Sequence, residues 1–123
     1  MPSQEAIANT VNRYLELVAT GTADDIVKLY TADATLEDPV GTDLRRGAEA
    51  VHEFYKAVEG VEKETELVHI RVSGSEAAFF WHLTLVGGDS RTRISPISVM
   101  EFDEDAKITS MRAFWSPSDV QPL

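Results

Sequence analysis

The run Thr35-Leu36-Glu37-Asp38-Pro39-Val40-Gly41 places a carboxylate at the end of a short apolar stretch, directly ahead of a proline and a glycine. A proline pushes the residue before it toward extended backbone. Pro39 and Gly41 then favour a turn. Asp38 is therefore expected where a short strand gives way to a loop, its side chain aimed by rigid backbone. A carboxylate held in that way suits a general base. The plainer alternative is an Asx turn, in which Asp38 only hydrogen-bonds nearby backbone.

Other side chains with chemistry fall at spacings that point inward. Tyr14 is a phenol on an apolar helical stripe. Tyr30 and Tyr55 are expected on the inner faces of two further helices, where three phenols can share a hydrogen-bonded network or stand as separate core residues. Ser98 is a lone hydroxyl on the inward face of a strand. It needs a partner there, and backbone beside the irregularity introduced by Pro96 would serve. The histidines form no such pattern. His52 reads as a surface residue, His69 and His82 lie in strands, and no spacing with Asp or Glu resembles a metal site. The chain has no glycine-rich phosphate loop and no Ser-His-Asp grouping. Arg45-Arg46 and Arg91-Thr92-Arg93 read as solvated basic spots.

These residues need elements to position them. Ser3 can cap a first helix running to about Ala19, with Ile7, Val11, Tyr14 and Val18 on one stripe. Gly21 stops it. Thr22 with Asp25 resembles a capping box for a second helix carrying Ile26, Val27, Leu29 and Tyr30 inward. The short strand into Asp38 follows. The loop from Gly41 to Gly47 leads to a third helix whose apolar face is Val51, Phe54, Tyr55 and Val58. After Gly60 the period changes to near two, with strands expected at about 65–72, 77–86, 91–102 and 108–116. Turn residues separate them. The fold class is α+β, with helices packed on one face of a curved, mostly antiparallel sheet.

Alternation sorts the strand residues. Phe79, Trp81 and Leu83 share a face, as do Ile94, Pro96, Ser98 and Met100, and Met111, Ala113 and Trp115. These sets can line one concavity. The opposite face carries Phe80, His82, Thr84, Ile97 and Val99. It is too apolar for plain exposure, which suggests cover by a partner subunit.

Composition narrows the function. The 123 residues are 43% hydrophobic, which fits one domain over 1–123 with one core. No apolar run approaches the roughly 20 residues that span a bilayer. The N-terminus lacks the basic start and apolar stretch of a secretion signal, and cysteine is absent. A cytoplasmic enzyme is the expectation. The formal net charge of −10 disfavours nucleic acid and anionic membranes. A neutral, apolar small molecule fits better.

The chain resembles the bacterial ketosteroid isomerases over nearly its whole length. The resemblance rests on Arg13-Tyr14, the run from Ala32 to Gly41, Glu53-Phe54-Tyr55, and Ser110-Met111-Arg112-Ala113-Phe114-Trp115. It implies a cone of the nuclear-transport-factor-like and SnoaL-like kind, in which three helices sit on a strongly curved, mixed but mostly antiparallel sheet around a conical pocket. It also implies a homodimer and a cofactor-free conversion of 3-oxo-Δ5-steroids to their Δ4 isomers. By that resemblance Asp38 moves the proton from carbon 4 to carbon 6. Tyr14 hydrogen-bonds the 3-oxygen as it becomes a dienolate, and Tyr55 and Tyr30 support Tyr14. Val18, Phe54, Phe79, Trp81, Pro96, Met111 and Trp115 match substrate-binding positions. One position departs. The family often has a protonated aspartic acid as the second oxyanion donor, and Ser98 stands there instead. A hydroxyl still qualifies as a donor, though a weaker one.

Two other classes remain open on the sequence. One is a cone-fold epoxide hydrolase, dehydratase or cyclase, which would need His69 or His82 to turn inward. The other is a non-catalytic lipid- or steroid-binding protein, in which Asp38 and Tyr14 have no reason to converge.

Overall fold

The computed structural model describes residues 1–123. In chain order the elements are α1 (Gln4–Thr20), α2 (Ala23–Val27), β1 (Tyr30–Glu37), β2 (Arg45–Arg46) and α3 (Ala48–Glu59). There follow β3 (Glu62–Ser73), β4 (Glu76–Gly87), β5 (Ser90–Ile94), β6 (Ile97–Phe102), β7 (Ile108–Phe114) and β8 (Gln121–Pro122).

The helices begin where their caps dictate. The Ser3 hydroxyl accepts the Ala6 N–H at 3.0 Å, satisfying an amide that has no partner inside α1. Ile7, Val11, Tyr14 and Val18 are all buried, as one stripe of a 3.6-residue period must be. Thr22 caps α2 through the Asp25 N–H. That helix stops after 5 residues. Tyr30 is therefore not helical, as the sequence pattern had it; it opens β1. The aromatic and β-branched pair Tyr30-Thr31 goes into the sheet instead, where such side chains pack well. Gly47 precedes α3 with φ of 94°, a conformation that favours glycine.

All eight strands belong to one curved sheet. β1 and β7 run parallel, and every other pairing is antiparallel. β4 is the spine. It pairs with β3 along one edge, while β5 and β6 share the other. The stretch 91–102 is thus two strands rather than one. Pro96 has no N–H to continue the ladder. Its carbonyl still accepts the Trp81 N–H at 3.2 Å, across the gap between the two strands.

The core is a cluster of 21 buried residues between α1, α3 and the sheet, with Ile7, Val11, Leu36, Val51, Phe79, Met100 and Ile108 essentially inaccessible. Burying each such large side chain contributes roughly 1.5–3 kcal/mol. The helices cover only part of the sheet, and the uncovered part of that face becomes the site.

Candidate active site

Asp38 follows β1 directly, and its position is fixed from three directions. Leu36 and Glu37 pair with Met111 and Arg112 of β7. Beyond the Asp38–Pro39 bond, which is cis, the Val40 N–H donates to the Ala113 carbonyl at 2.8 Å, so the loop is tied to the same strand. The Trp115 indole N–H donates to Asp38 Oδ1 at 2.7 Å. The turn closes with the Thr42 hydroxyl and N–H on the Pro39 carbonyl and with Gly41 at φ of 104°, where an L side chain would be strained. The carboxylate makes no Asx turn. Burial pushes its pKa up, and the Trp115 hydrogen bond partly opposes that.

Three phenols converge beside it. The hydroxyls of Tyr30 and Tyr55 lie 2.6 Å apart, and those of Tyr55 and Tyr14 lie 3.0 Å apart. The rings support this packing edge to face, Tyr14 on Tyr55 at 6.1 Å and Phe54 on Tyr55 at 5.0 Å between centroids. Three hydroxyls hold three protons, and two internal hydrogen bonds use two of them. One proton is left over, and it sits on Tyr14 when Tyr30 donates to Tyr55 and Tyr55 to Tyr14. Tyr30 stands away from the cavity, whereas Tyr14 lines it. Burial raises the pKa of all three phenols well above the ordinary value, and Asp38 adds to the effect on Tyr14 and Tyr30. Tyr14 is thus a neutral donor at any working pH.

Both groups open on an apolar cavity of about 270 Å³. α1 contributes Tyr14 and Val18, and α3 contributes Phe54, Tyr55 and Val58. The sheet contributes Lys63, Trp81, Leu83, Leu85, Ile94 and Pro96, and Trp115 closes one side next to Asp38. Arg45 of β2 lies over the Phe54 ring, 5.1 Å from its centroid.

Three residues expected in the wall lie elsewhere. Phe79 and Met111 are buried in the core and do not line the cavity. Strand alternation tells which side of the sheet a residue faces, but not whether a helix already covers it. Phe79 instead underlies Trp81, with centroids 6.4 Å apart. Ser98, 1% exposed, also stands behind the lining residues. Its Oγ accepts the Trp81 indole N–H at 3.0 Å, and its own proton has no protein acceptor.

The histidines stay out of the site. His82 Nδ1 lies 2.7 Å from Ser95 Oγ, His52 pairs with Asp24, and His69 is exposed. Arg91 pairs with Glu64 at 2.7 Å on the surface. Lys63, by contrast, is a lining residue that the sequence reading passed over.

The arrangement is a carboxylate and a neutral phenol facing one apolar space. It can remove a proton from a weak carbon acid while hydrogen-bonding the oxygen that gains charge.

Known proteins resemble the chain in sequence and in fold. The model of the SnoaL-like domain matches residues 11–111. A steroid Delta-isomerase of Nocardioides simplex is 51% identical over 110 residues, covering 89% of each chain. Among solved structures, the epoxide hydrolase/cyclase-like enzyme SalBIII of pyran ring formation in polyether salinomycin superposes with a TM-score of 0.92 at 29% identity over the whole of both chains. The structure of RV0760c from Mycobacterium tuberculosis superposes at 0.89 with 17% identity, again over both whole chains, a likeness of fold.

Proposed function

The chain belongs to the SnoaL-like domain family and, within it, to the steroid Delta-isomerases, and from that premise we propose that it converts 3-oxo-Δ5-steroids to 3-oxo-Δ4-steroids. The observation that carries the reading is the meeting of Asp38 and Tyr14 on one apolar cavity.

The Asp38 carboxylate takes a proton from carbon 4. The electron pair of that C–H bond forms a double bond between carbons 3 and 4 as the carbonyl pair moves onto the 3-oxygen, giving a dienolate conjugated with the alkene. Tyr14 donates to the 3-oxygen as its charge grows. Asp38, now a carboxylic acid, returns the same proton to carbon 6, and the double bond ends in conjugation. No electron leaves the substrate, so the chemistry calls for no cofactor. Each well-aimed donor contributes roughly 3 kcal/mol to such a transition state. Ser98 stands behind Trp81 rather than on the cavity wall, so it acts as the second donor in this reading only where the 3-oxygen reaches past Trp81 to its free proton. Accepting the Trp81 N–H polarises its hydroxyl and makes its remaining proton a better donor. Apolar and aromatic walls suit a flat, rigid, uncharged ring system.

The outer side of the sheet supports a homodimer. Ile97 is 49% and Phe114 40% exposed there, beside half-buried Phe80 and Val99, and a second copy of the same face would cover them.

Mixing the protein with 5-androstene-3,17-dione and following ultraviolet absorbance tests the reaction, with Asp38→Asn as the control. Absorbance of the conjugated enone should rise at a rate the control cannot match. A flat trace would overturn the isomerase. An epoxide-opening or cyclising reaction is the second reading, favoured by the likeness to SalBIII. Turnover of a hydroxy-epoxide with the ketone left untouched would select it.

A further inference from the structure

Lys63 lies on the helix-facing side of β3, in register with Leu85 of β4. The positions in phase with it on that strand are Thr65 and Leu67, opposite Leu83 and Trp81. Only 9% of Lys63 is exposed, and it lines the same apolar cavity as Tyr14 and Asp38. A lysine at that phase needs a reason, since a buried ammonium is unfavourable unless paired.

Two of its three N–H groups have one. The ammonium donates to the carbonyls of Val58 at 2.6 Å and Val61 at 2.7 Å, at the C-terminal end of α3. The third has no acceptor in the protein, and no carboxylate lies within 4.0 Å to balance the charge. Glu59, whose charge acts on Lys63, is engaged elsewhere, with one oxygen on the Ala23 N–H at 2.6 Å and the other on Lys56 at 3.0 Å. Burial draws the Lys63 pKa down, and Glu59 opposes this only in part.

The cavity runs along β4 from Trp81 to Leu85, four residues or roughly 13 Å. Tyr14 packs against Trp81 with centroids 6.4 Å apart, so the donor end of the cavity is at Trp81 and the Lys63 end is remote from it. We propose that Lys63 makes the remote end of the cavity a subsite for an anionic oxygen, so that the preferred ligand carries a carboxylate at the end opposite its reactive ketone. This rests on the isomerase reading for the ketone end. It adds a selection that apolar walls alone do not make, because an acid entering a cavity without Lys63 would lose its hydration and gain no partner.

The test uses two products of the proposed reaction, androst-4-ene-3,17-dione and 3-oxoandrost-4-ene-17β-carboxylate. Their dissociation constants are read from quenching of Trp81 and Trp115 fluorescence. The wild type should bind the acid at least as tightly as the diketone. Lys63→Met should shift the ratio of the two constants against the acid by at least tenfold, and Lys63→Arg should keep it within threefold. If Lys63 only holds the end of α3, both ligands weaken together and the ratio stays put, which overturns the proposal. So does a wild type that binds the diketone tenfold better, whether or not the variants fold. Binding of the acid by wild type without turnover of its Δ5 counterpart would remove the isomerase and keep the subsite. Binding of neither ligand would sink both.

Discussion

Trp115 Nε1 and Asp38 Oδ1 lie 2.7 Å apart, although the residues are 77 positions apart in the chain. The bond joins the turn after β1 to the residue after β7, two parallel neighbours in the sheet. It has an electrostatic consequence. The indole N–H favours the charged carboxylate, against a cavity that disfavours it.

Trp115→Phe should therefore raise the pKa of Asp38 further. The base must start ionised, so the acid limb of kcat/KM should move to higher pH, and activity at neutral pH should fall several-fold. A pH–rate profile of the variant checks this. An acid limb left in place would mean that Trp115 is only wall.

Asp38→Asn should separate activity from stability. Losing the base should lower turnover by about 10²–10⁴-fold. The folded pKa of Asp38 is raised, so the folded state holds this proton more tightly than the unfolded chain does. The stability that goes with it is present below the usual carboxylate range and is lost as pH rises through the folded pKa. At neutral pH the native carboxylate is thus a burden. An Asn carbonyl can still accept the Trp115 N–H without the charge. The variant should melt a few degrees higher at pH 7. Its advantage should shrink toward pH 3, which thermal melts across that range would check.

How much of this was legible in the chain follows from what is local. The α1 stripe was readable because Ile7, Val11, Tyr14 and Val18 obey one period, and all are buried. Asp38 was readable because Pro39 and Gly41 mark its turn. Tyr30 was misplaced because Ile26, Val27, Leu29 and Tyr30 suit helix and strand alike, and only the parallel pairing with β7 decides between them. Lys63 was missed because the strand was started at Thr65, three residues late. With β3 begun at Glu62, the alternation Glu62-Lys63-Glu64-Thr65-Glu66-Leu67 puts the lysine in phase with the apolar positions. The bonds from Trp115 to Asp38 and from Trp81 to Ser98 had no local signal, since each depends on strand register.

Tyr14→Phe should lower kcat by about 10²–10³-fold with little change in KM, as for loss of an oxyanion donor. Ser98→Ala should lower it by several-fold, less than Tyr14→Phe, because a serine hydroxyl is the weaker acid. The split between constants is the check on Ser98. A donor lost lowers kcat. A lost anchor for the Trp81 indole would instead raise KM, and an unchanged rate would remove Ser98 from the mechanism.

The outer face of the sheet gives the last prediction. Ile97 projects from β6 at 49% exposure, and its cross-strand neighbours are Phe80 and Phe114. An apolar group so placed in a chain of net charge −10 is a liability unless another surface meets it. A two-fold axis over this patch would bring Ile97 against its own copy or a neighbour of it. Ile97→Glu would then bury two new carboxylates at the seam, where like charges without partners are strongly unfavourable. The wild type should sediment as a dimer of two 13.6 kDa chains and the variant as a monomer. The cavity lies on the other side of the sheet, so the variant's circular dichroism should keep its native form while its melting temperature falls. A monomeric wild type, or a variant that still dimerises with unchanged affinity, would move the interface away from this face.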